Sequence, residues 1–374
     1  MKICLDIQPA CGPLAGIGRY TRMLAEHLPA WVGPGDTLRL AWFDWRRKGP
    51  PIVAVGVECQ PIRRLPGRVV MRLWKTVGFP PYDKLAGPAD LYHFPNFYLP
   101  PLRTGRSLVT LHDLSFRRYP DFVETRNLHH LERTIPETLR RANGVLTISQ
   151  FSASEIQKLL NVPAERIFVT PLGVSRHFRP LPHDEKEVVR RRLSLPPAYL
   201  LHVGTIEPRK NISFLVDLLD ALDDYPGHLV LAGGPGWKMG SIWARIERSR
   251  NRDRILWLRH VADDDLPSLY ACADALLTPS FYEGFGLPPL EAMACGTPVI
   301  ASDRGSYPEV LGGGAAALLP LDDPSPWADA LRSLLHDTKV RETAIQRGLA
   351  HAARFRWEET ARLTWTAYRN LVVS

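Results

Sequence analysis

Apolar patterns typical of buried strands alternate with helical patterns along this chain, and the alternation runs through the sequence twice. In the first half, the strand patterns cover residues 3–7, 38–43, 91–94, 107–111, 144–148 and 167–170. In the second half, they cover residues 199–203, 228–231, 255–258 and 275–278. Strands that alternate with helices form parallel sheets covered on both faces. The sequence therefore predicts an α/β protein with two Rossmann-like, doubly wound domains.

The restart of this pattern also predicts the domain boundaries. A chain of 374 residues is too long for one ordinary hydrophobic core. The proline-containing stretch at residues 178–183 has the character of a linker. We therefore expect one domain at residues 1–180, a second at 181–355, and a separate helical segment at 356–374.

Charge and cysteine usage restrict the compartment and the partners. Residues 1–180 contain 25 Lys and Arg against 14 Asp and Glu, whereas the remaining residues contain 22 against 25. The basic first half indicates an anionic partner. No apolar run of about 18 residues occurs, and the first residues have the pattern of a strand rather than of a signal peptide. The cysteines lack metal-binding spacing, so we expect reduced thiols and a cytoplasmic protein.

A glycine turn in the second half lies between two glutamates, Glu283 and Glu291. Pro288 and Pro289 suit the first turn of a helix, where a missing N–H costs nothing. Gly296 suits the position just after a helix, and residues 297–301 have the pattern of a buried strand. The sequence therefore predicts a short helix whose N-terminus faces the edge of a sheet.

The groups at this helix N-terminus indicate the kind of ligand. Backbone amides around Gly284, Phe285 and Gly286 would favour an anion or an oxygen-rich ligand. Ionised carboxylates only accept hydrogen bonds, so Glu283 and Glu291 would bind hydroxyl groups rather than phosphates. A nucleotide sugar carries both phosphates and many hydroxyls, and it fits this combination.

This segment resembles the paired-glutamate signature of the retaining glycosyltransferases of family four, which have the GT-B fold. The matching positions are Glu283, Gly284, Gly286, Glu291, Gly296, Thr297, Pro298 and Val299. The resemblance implies that the second domain binds the nucleotide sugar and the first the acceptor, with the site in the cleft between them. It implies that the segment at 356–374 crosses back to the first domain. It also implies that Glu291 holds the ribose, while Glu283 and the amides from Gly284 to Leu287 hold the sugar.

A second motif, at residues 201–211, follows a predicted strand and opens a helix. Arg209 and Lys210 would lie beside the helix N-terminus, a combination that suits a diphosphate. In the resembled family this loop grips the donor diphosphate, and the match covers Gly204, Glu207, Pro208 and Lys210. Many relatives carry an arginine directly after the glycine, where this chain has Thr205. A solvated basic pair at the start of a surface helix is the alternative interpretation.

Two segments of the first domain are further candidates. Gly16 and Gly18 follow the first strand and allow close approach of a ligand, although the segment is weak evidence as a dinucleotide fingerprint. The resemblance implies that Gly16 contacts the donor, and Arg19 could meet an anionic acceptor. His112 and Asp113 follow another predicted strand, and the resemblance implies that His112 touches the transferred sugar or the acceptor. A structural histidine is the alternative.

Two further histidine and aspartate positions are weaker candidates. His93, at the end of another predicted strand, receives a weaker version of the argument made for His112. The run at residues 263–265 could suggest a metal site, but it precedes a helical pattern and reads better as a helix cap. We therefore expect no catalytic metal and no cofactor, because Arg209 and Lys210 can neutralise a leaving diphosphate.

Residues 62–75 mix basic and large apolar side chains. Such a segment can lie on an anionic membrane surface, although a buried helix with a solvated basic rim is equally compatible with the pattern. The basic first domain favours peripheral contact with the inner face of the cell membrane. A lipid-linked saccharide acceptor would account for both features.

Together these features predict a retaining, metal-independent hexosyltransferase. The phosphate loop at residues 207–211 and the segment at 111–113 look like those of bacterial mannosyl- or rhamnosyltransferases of surface polysaccharide and lipopolysaccharide assembly, which favours GDP-mannose or a related GDP-sugar. A UDP-sugar-dependent transferase and a nucleotide-sugar epimerase of the same fold are alternatives. A basic protein that binds membranes or nucleic acid is an alternative of another class, but the aromatic-basic strand motifs of RNA-binding proteins are missing, so we expect no nucleic-acid partner.

Overall fold

The computed structural model describes residues 1–12, 16–52 and 54–373, with His183 described by its backbone only. The fold divides into two compact units. The first contains residues Met1–Leu114, His129–Gly173 and Trp357–Ser374, and the second contains Ser115–Leu128 and Val174–Arg356. This division differs from the predicted boundaries at residues 115–128 and 174–180, which belong to the second unit.

The described part of the first unit is built on a seven-stranded parallel sheet with the order β3-β2-β1-β4-β5-β6-β7. Its strands are β1 (Lys2–Asp6), β2 (Thr37–Phe43), β3 (Glu58–Ile62), β4 (Leu91–Phe94), β5 (Arg106–Thr110), β6 (Gly144–Thr147) and β7 (Ile167–Val169). The helices of this unit are α1 (Gly16–His27), α2 (Gly67–Thr76), α3 (Tyr82–Ala86), α5 (Thr125–Arg141) from His129 onward, and α6 (Gln150–Leu160), whereas α4 (Ser115–Arg118) belongs to the second unit. Every residue of β4 and β6 is buried, as expected for strands covered on both faces.

The described part of the second unit contains a six-stranded parallel sheet with the order β10-β9-β8-β11-β12-β13. Its strands are β8 (Tyr199–Val203), β9 (His228–Ala232), β10 (Ile255–Leu258), β11 (Ala275–Thr278), β12 (Val299–Ser302) and β13 (Ala317–Leu319). The helices are α7 (His183–Arg192), α8 (Ile212–Ala221), α9 (Gly240–Glu247), α10 (Leu266–Ala271), α11 (Leu287–Ala294), α12 (Tyr307–Val310), α13 (Ser325–His336) and α14 (Thr338–Ala352). Its core is aliphatic, centred on helix α8 and on Trp327. The predicted α/β class with two doubly wound sheets is confirmed.

Each sheet contains one point at which the strand order reverses its direction. In the first sheet that switch point lies between β1 and β4, and in the second it lies between β8 and β11. Loops that leave adjacent strands in opposite directions at such a point open a crevice at the carboxyl edge of the sheet. These two crevices are therefore the places where each unit is built to hold a ligand.

The last helix, α15 (Trp357–Val373), belongs to the first unit, as the sequence predicted. Its Tyr368 hydroxyl lies 2.7 Å from Nδ1 of His93 on β4, and Trp357 packs on Tyr20 of α1 with ring centroids 6.5 Å apart. In the described part of the chain, no helix combines the length and the apolar character that crossing a membrane requires.

Segment 115–128 forms an aromatic contact inside the second unit. Tyr119 stacks on Phe122 with ring centroids 5.2 Å apart, and its hydroxyl donates to the Phe281 carbonyl over 3.3 Å. The Trp237 indole N–H donates to the Phe122 carbonyl. Segment 115–128 therefore covers Phe281, which lies two residues before Glu283.

Candidate active site

The predicted donor loops meet at the switch point of the second sheet. One loop follows β8 and carries Arg209 and Lys210, and the other follows β11 and carries Glu283. The two strands are hydrogen-bonded neighbours, with Leu276 opposite Leu201. The carboxyl ends of neighbouring parallel strands lie side by side, so the loops that follow them come together.

Glu283 is held by both basic side chains. Lys210 Nζ lies 2.5 Å from Glu283 Oε1, and Arg209 Nη1 lies 3.1 Å from Oε2. Arg209 also donates from Nη1 to the Tyr282 carbonyl over 2.7 Å. The backbone joins the loops too, since the Phe281 N–H donates to the Arg209 carbonyl over 2.9 Å. Three of the predicted site residues therefore form one cluster.

A fourth charge, which the sequence analysis did not assign to the site, orients the arginine. Glu207 is 2% exposed, and its Oε1 accepts hydrogen bonds from Nε and Nη2 of Arg209 over 3.0 and 2.6 Å. The guanidinium is therefore fixed between two carboxylates. In the sequence, Glu207 is only a match to the resembled motif. Nothing in the sequence around Pro208 indicates that the Glu207 side chain is buried or that it pairs with Arg209.

The cluster keeps Glu283 ionised. Burial alone would raise the pKa of this carboxyl, but the charges of Lys210 and Arg209 outweigh burial and lower the pKa to about 2. An ionised carboxylate accepts hydrogen bonds and donates none. Glu283 can therefore bind the hydroxyl groups of a ligand at any pH at which the protein works.

Gly286 shapes the turn between Glu283 and α11. It is the N-cap residue of α11 with φ of +107°, a conformation that L side chains rarely adopt. A Cβ at this position would lie 2.6 Å from Cε1 of Tyr307. Ser306 fixes the same turn from the other side, because its N–H donates to the Glu283 carbonyl and its hydroxyl to the Phe285 carbonyl. Ser306 and Tyr307 are site residues that no motif in the sequence had indicated.

Glu291 lies on α11, within the helix that follows this turn. It is 3% exposed, and its Oε2 accepts a hydrogen bond from the Tyr270 hydroxyl over 3.0 Å. The Leu287 position begins the same helix. The structure thus places Glu291 in a buried setting next to Tyr270. The carboxylates that form ion pairs with Arg209 and Lys210 are those of Glu283 and Glu207.

The loop after β8 passes close to the loop after β9. Gly204 has φ of +157°, and a Cβ on it would lie 3.3 Å from Cε of Lys210. A Cβ on Gly233 would lie 2.0 Å from the Gly204 carbonyl oxygen. Thr205, the departure from the resembled pattern, is exposed. The two glycines therefore permit a backbone approach that leaves room for the Lys210 side chain.

The first-unit candidates lie at the carboxyl edge of the first sheet. His112 follows β5, its Nε2 lies 3.1 Å from the Pro95 carbonyl, and its ring packs edge-on against Tyr20 at 4.9 Å. Burial lowers the pKa of His112, which favours the neutral form of its imidazole. Asp113 is the next residue and is half-buried, as is Arg19 on α1. Gly16 begins α1 and is exposed, whereas residues 13–15 of the same predicted loop lie outside the described residues.

One of the weaker expectations is wrong, and the other, the helix cap at residues 263–265, holds for the position of Asp265 as N-cap residue. His93 is fully buried on β4, and its two ring nitrogens contact the hydroxyls of Tyr368 and Thr110, so it is a structural histidine rather than a ligand contact. Asp265 does precede α10, but its side chain accepts from Arg192 over 2.8 Å and makes no capping hydrogen bond. The described residues contain no group of three or more His, Cys, Asp or Glu side chains arranged to hold a metal ion.

Residues 62–75 form the end of β3 and most of α2. Val70 and Trp74 of α2 are buried in the first unit. The other face of this region exposes large apolar side chains, which are Leu65, Val69, Met71, Val77 and Phe79. One face of this segment is therefore part of the core, and the other is an exposed mixture of apolar and basic residues.

Comparison with known families identifies the class of protein that has this fold. The chain matches the family model described as "Glycosyl transferases group 1" over residues 184–351 and the "Glycosyl transferase 4-like domain" over residues 15–173. The chain belongs to this glycosyltransferase family.

Relatives and solved structures cover the whole chain. It is 36% identical to the O-antigen chain mannosyltransferase B of Escherichia coli, over 99% of this chain and 100% of that protein. It is similar in fold to sucrose-phosphate synthase from Thermosynechococcus elongatus, with a TM-score of 0.77, 23% identity and coverage of 100% and 99% of the two chains. Anabaena HepE, crystallised in complex with UDP-glucose, gives a TM-score of 0.70 at 18% identity with both chains fully covered.

Proposed function

We propose that this protein transfers a hexose, mannose or a closely related sugar, from a GDP-sugar to a hydroxyl of a lipid-linked saccharide in surface polysaccharide or lipopolysaccharide biosynthesis. The observation that carries the proposal is the cluster of Arg209, Lys210 and Glu283 at the switch point of the second sheet. The relative named as an O-antigen mannosyltransferase supports mannose as the sugar.

The basic pair would hold the donor diphosphate. A lysine ammonium carries three N–H donors, and Lys210 directs one of them to Glu283. The remaining donors and the oriented guanidinium of Arg209 would contact the diphosphate oxygens. As the bond to the sugar breaks, negative charge grows on the departing nucleotide, and fixed cations stabilise that charge most. This arrangement supports transfer without a bound metal ion.

The carboxylates would hold the hydroxyl groups of the donor. Glu283, ionised and located at the glycine turn, would accept from the hexose, together with the amides of residues 284–287. Glu291 would accept from the ribose. A pyranose held on one side by these groups would react with the acceptor on the face from which the nucleotide departs, and the configuration at the anomeric carbon would be retained.

The exposed face around α2 would contact the membrane that holds the acceptor. It carries Val69 and Phe79 as apolar side chains beside Arg64, Arg72 and Lys75. In the described structure none of these three basic residues forms an ion pair within the protein. Basic side chains with apolar neighbours bind anionic lipid surfaces, each cation contributing about 1 kcal/mol.

The test is a transfer assay with the purified protein and a short lipid-linked saccharide. GDP-mannose, GDP-rhamnose, UDP-glucose and UDP-N-acetylglucosamine are compared by nucleotide release, and NMR of the product reports the anomeric configuration. We expect acceptor-dependent release from a GDP-sugar, unchanged by EDTA, and loss of release in Lys210→Ala and Glu291→Ala. Lys158→Ala, on the exposed surface of α6, is the matched control.

Three outcomes would contradict the proposal. Conversion of the donor without an acceptor would indicate an epimerase. If only UDP-sugars are turned over, the protein is a glycosyltransferase that does not use a GDP-sugar as its donor. A ligand that binds the folded state raises the melting temperature. If no nucleotide sugar raises it, the assignment of a donor site is contradicted.

A further inference from the structure

A buried histidine lies at the switch point of the second sheet. His202 is the last residue but one of β8, two residues before Gly204, and is 1% exposed. The backbone register of β8 with β11 pairs Leu201 with Leu276. One residue further along both strands, His202 Nδ1 lies 2.9 Å from the Leu277 carbonyl oxygen. The imidazole therefore continues the link between the two strands towards the loops that carry the basic cluster.

This hydrogen bond determines which ring nitrogen of His202 carries the proton. A carbonyl oxygen only accepts, so Nδ1 is the donor, and Nε2 of the neutral ring then has a lone pair and can only accept. Burial lowers the pKa of His202 to about 4, so the ring is neutral near pH 7. Nε2 is buried and has no hydrogen-bond partner in the described structure. His202 thus holds a fixed acceptor beside the donor loops.

The side chain of Lys210 borders the same point as this acceptor. A Cβ added to Gly204 would lie 3.5 Å from His202 Nε2, 3.3 Å from Lys210 Cε and 3.6 Å from Lys210 Nζ. A side chain at residue 204 would therefore stand between the imidazole and the ammonium, and the glycine leaves that path open. Rotation about the last bonds of the flexible lysine side chain can carry its ammonium towards Nε2.

The contacts of Lys210 use only part of its capacity to donate. Its ammonium has three N–H groups, and one of them is donated to Glu283 Oε1 over 2.5 Å. In the described structure this is the one hydrogen bond that the ammonium makes. The Lys210 side chain is only 12% exposed, and buried polar groups are held best when each has a partner. A second and a third acceptor are therefore needed to fix its direction.

We propose that His202 is a positioning residue for Lys210, and that the ammonium donates one N–H to His202 Nε2 as it turns towards a bound diphosphate. The inference rests on the proposed function, because it takes Lys210 to bind the diphosphate of the donor. The three N–H groups then meet three acceptors, which are the Glu283 carboxylate, the His202 imidazole and a diphosphate oxygen. His202 itself does not touch the donor.

A neutral acceptor suits this role better than a second carboxylate. A carboxylate offsets the positive charge of the lysine, whereas the lone pair of an imidazole orients the ammonium and leaves its charge available to the leaving diphosphate. A diphosphate oxygen only accepts, so it does not compete with Lys210 for Nε2. A protonated His202 could not accept at all, and its burial keeps the ring in the accepting form.

Two substitutions of His202 separate positioning from a structural role. In His202→Asn the side-chain NH₂ can donate to the Leu277 carbonyl as Nδ1 does, but no acceptor reaches Lys210. In His202→Gln the longer side chain brings an amide oxygen to the place of Nε2, and the bond to Leu277 is lost. We expect kcat to fall about tenfold in His202→Asn, the loss of one hydrogen bond to a charged group, and less than about threefold in His202→Gln.

A purely structural role predicts the reverse order, in which kcat follows the melting temperature and His202→Gln is the poorer enzyme. The acceptor KM should stay constant in both variants. His228→Asn is the matched control, because His228 begins β9 at the opposite edge of the same sheet and also has a buried ring nitrogen without a partner in the described structure. Equal kcat values for His202→Asn and His202→Gln, or the reverse order, would overturn the inference.

A second measurement needs neither a sugar nor an acceptor. Nitrogen NMR of the full chain with labelled histidine follows His202 Nε2, identified by its loss in His202→Asn, while pyrophosphate is added. We expect the upfield shift of a nitrogen that begins to accept a hydrogen bond, and no shift in Lys210→Met. That shift in a protein that transfers no hexose would overturn the proposed function and still support the role of His202. An unmoved Nε2 resonance, or no binding of pyrophosphate, would overturn the inference.

Discussion

Lys210 Nζ lies 2.5 Å from Oε1 of Glu283, and the two residues follow neighbouring strands of one sheet. Arg209 occupies the other oxygen of the same carboxylate, and Glu207 holds Arg209 in turn. Two cations and two carboxylates therefore form one largely buried network. The charges of these four side chains balance, and the network fixes both cations in place.

Removing Lys210 should separate activity from stability. Lys210→Met leaves Glu283 with one cation fewer, and breaking a buried pair from one side costs about 3–5 kcal/mol. Transfer should fall by about 100-fold or more, since a group that stabilises developing charge is lost. The double variant Lys210→Met with Glu283→Gln should recover most of the stability but none of the activity. Urea denaturation and transfer assays measure the two effects, and recovery of activity in the double variant would contradict the role of Lys210.

Glu207 should act as a positioning residue for Arg209. Glu207→Gln keeps the shape of the side chain but removes the charge that accepts two hydrogen bonds from the guanidinium. Charge-assisted hydrogen bonds contribute about 1.5–3 kcal/mol, so we expect the donor KM to rise at least about tenfold. The acceptor KM should stay constant. An equal change in both constants would indicate general loss of structure rather than loss of orientation.

Gly286 should tolerate no side chain. Gly286→Ala combines a φ of +107° with a Cβ 2.6 Å from the Tyr307 ring. The backbone strain alone costs about 1–3 kcal/mol, and the turn below Glu283 would shift. We expect a lower melting temperature and weaker donor binding by calorimetry. Gly240→Ala is the control, because Gly240 begins α9 with open space around it and should be neutral or stabilising. Equal effects of the two substitutions would refute this account.

Acid should destabilise the protein below about pH 6.5. Burial lowers the pKa of His93 to about 3 and that of His202 to about 4. An unfolded histidine titrates near pH 6.5, so the unfolded chain binds more protons below that pH. The stabilisation is therefore present above pH 6.5 and is lost as the pH falls towards the folded values, by about 1.4 kcal/mol per pH unit for each histidine. Urea denaturation at several pH values should show a smaller slope for His93→Gln. An unchanged slope would exclude His93 as a contributor.

The basic side chains near α2 should govern membrane binding. Replacing Arg64 and Arg72 with Gln should weaken sedimentation with phosphatidylglycerol vesicles by about fivefold for each charge. Phosphatidylcholine vesicles should bind the wild type poorly, and salt should weaken binding to the anionic vesicles. Lys158→Gln, distant in sequence and exposed on α6, controls for net charge. If Arg64→Gln, Arg72→Gln and Lys158→Gln weaken vesicle binding equally, the membrane-binding surface is not confined to the region of α2.

The site residues that could be predicted from the sequence are those in motifs of neighbouring residues along the chain. Arg209, Lys210 and Glu283 were identifiable because glycine turns directly follow buried strands, and neighbouring parallel strands end at the same edge. Ser306 and Tyr307 were missed because they reach the turn from the loop and helix that follow β12, through contacts that leave no local pattern.

The errors in the sequence interpretation have physical causes as well. His93 was expected to be a ligand contact because it lies near a strand end, but β4 is central in its sheet and both faces of it are covered. Strand β3 was missed because Pro61 and two exposed residues weaken its apolar pattern. Helix α13 was also missed, although its Trp327 and Leu331 are buried in the core of the second unit.

The hydrogen bond between Tyr368 and His93 has a consequence for the order in which the protein is made. The strands of the first sheet have all been synthesised once the ribosome has passed Val169, yet α15 is the last helix in the chain. Until it emerges, the imidazole at the centre of that sheet lacks one of its partners and α1 lacks its cover. The half that is translated first is therefore the half whose folding is completed last.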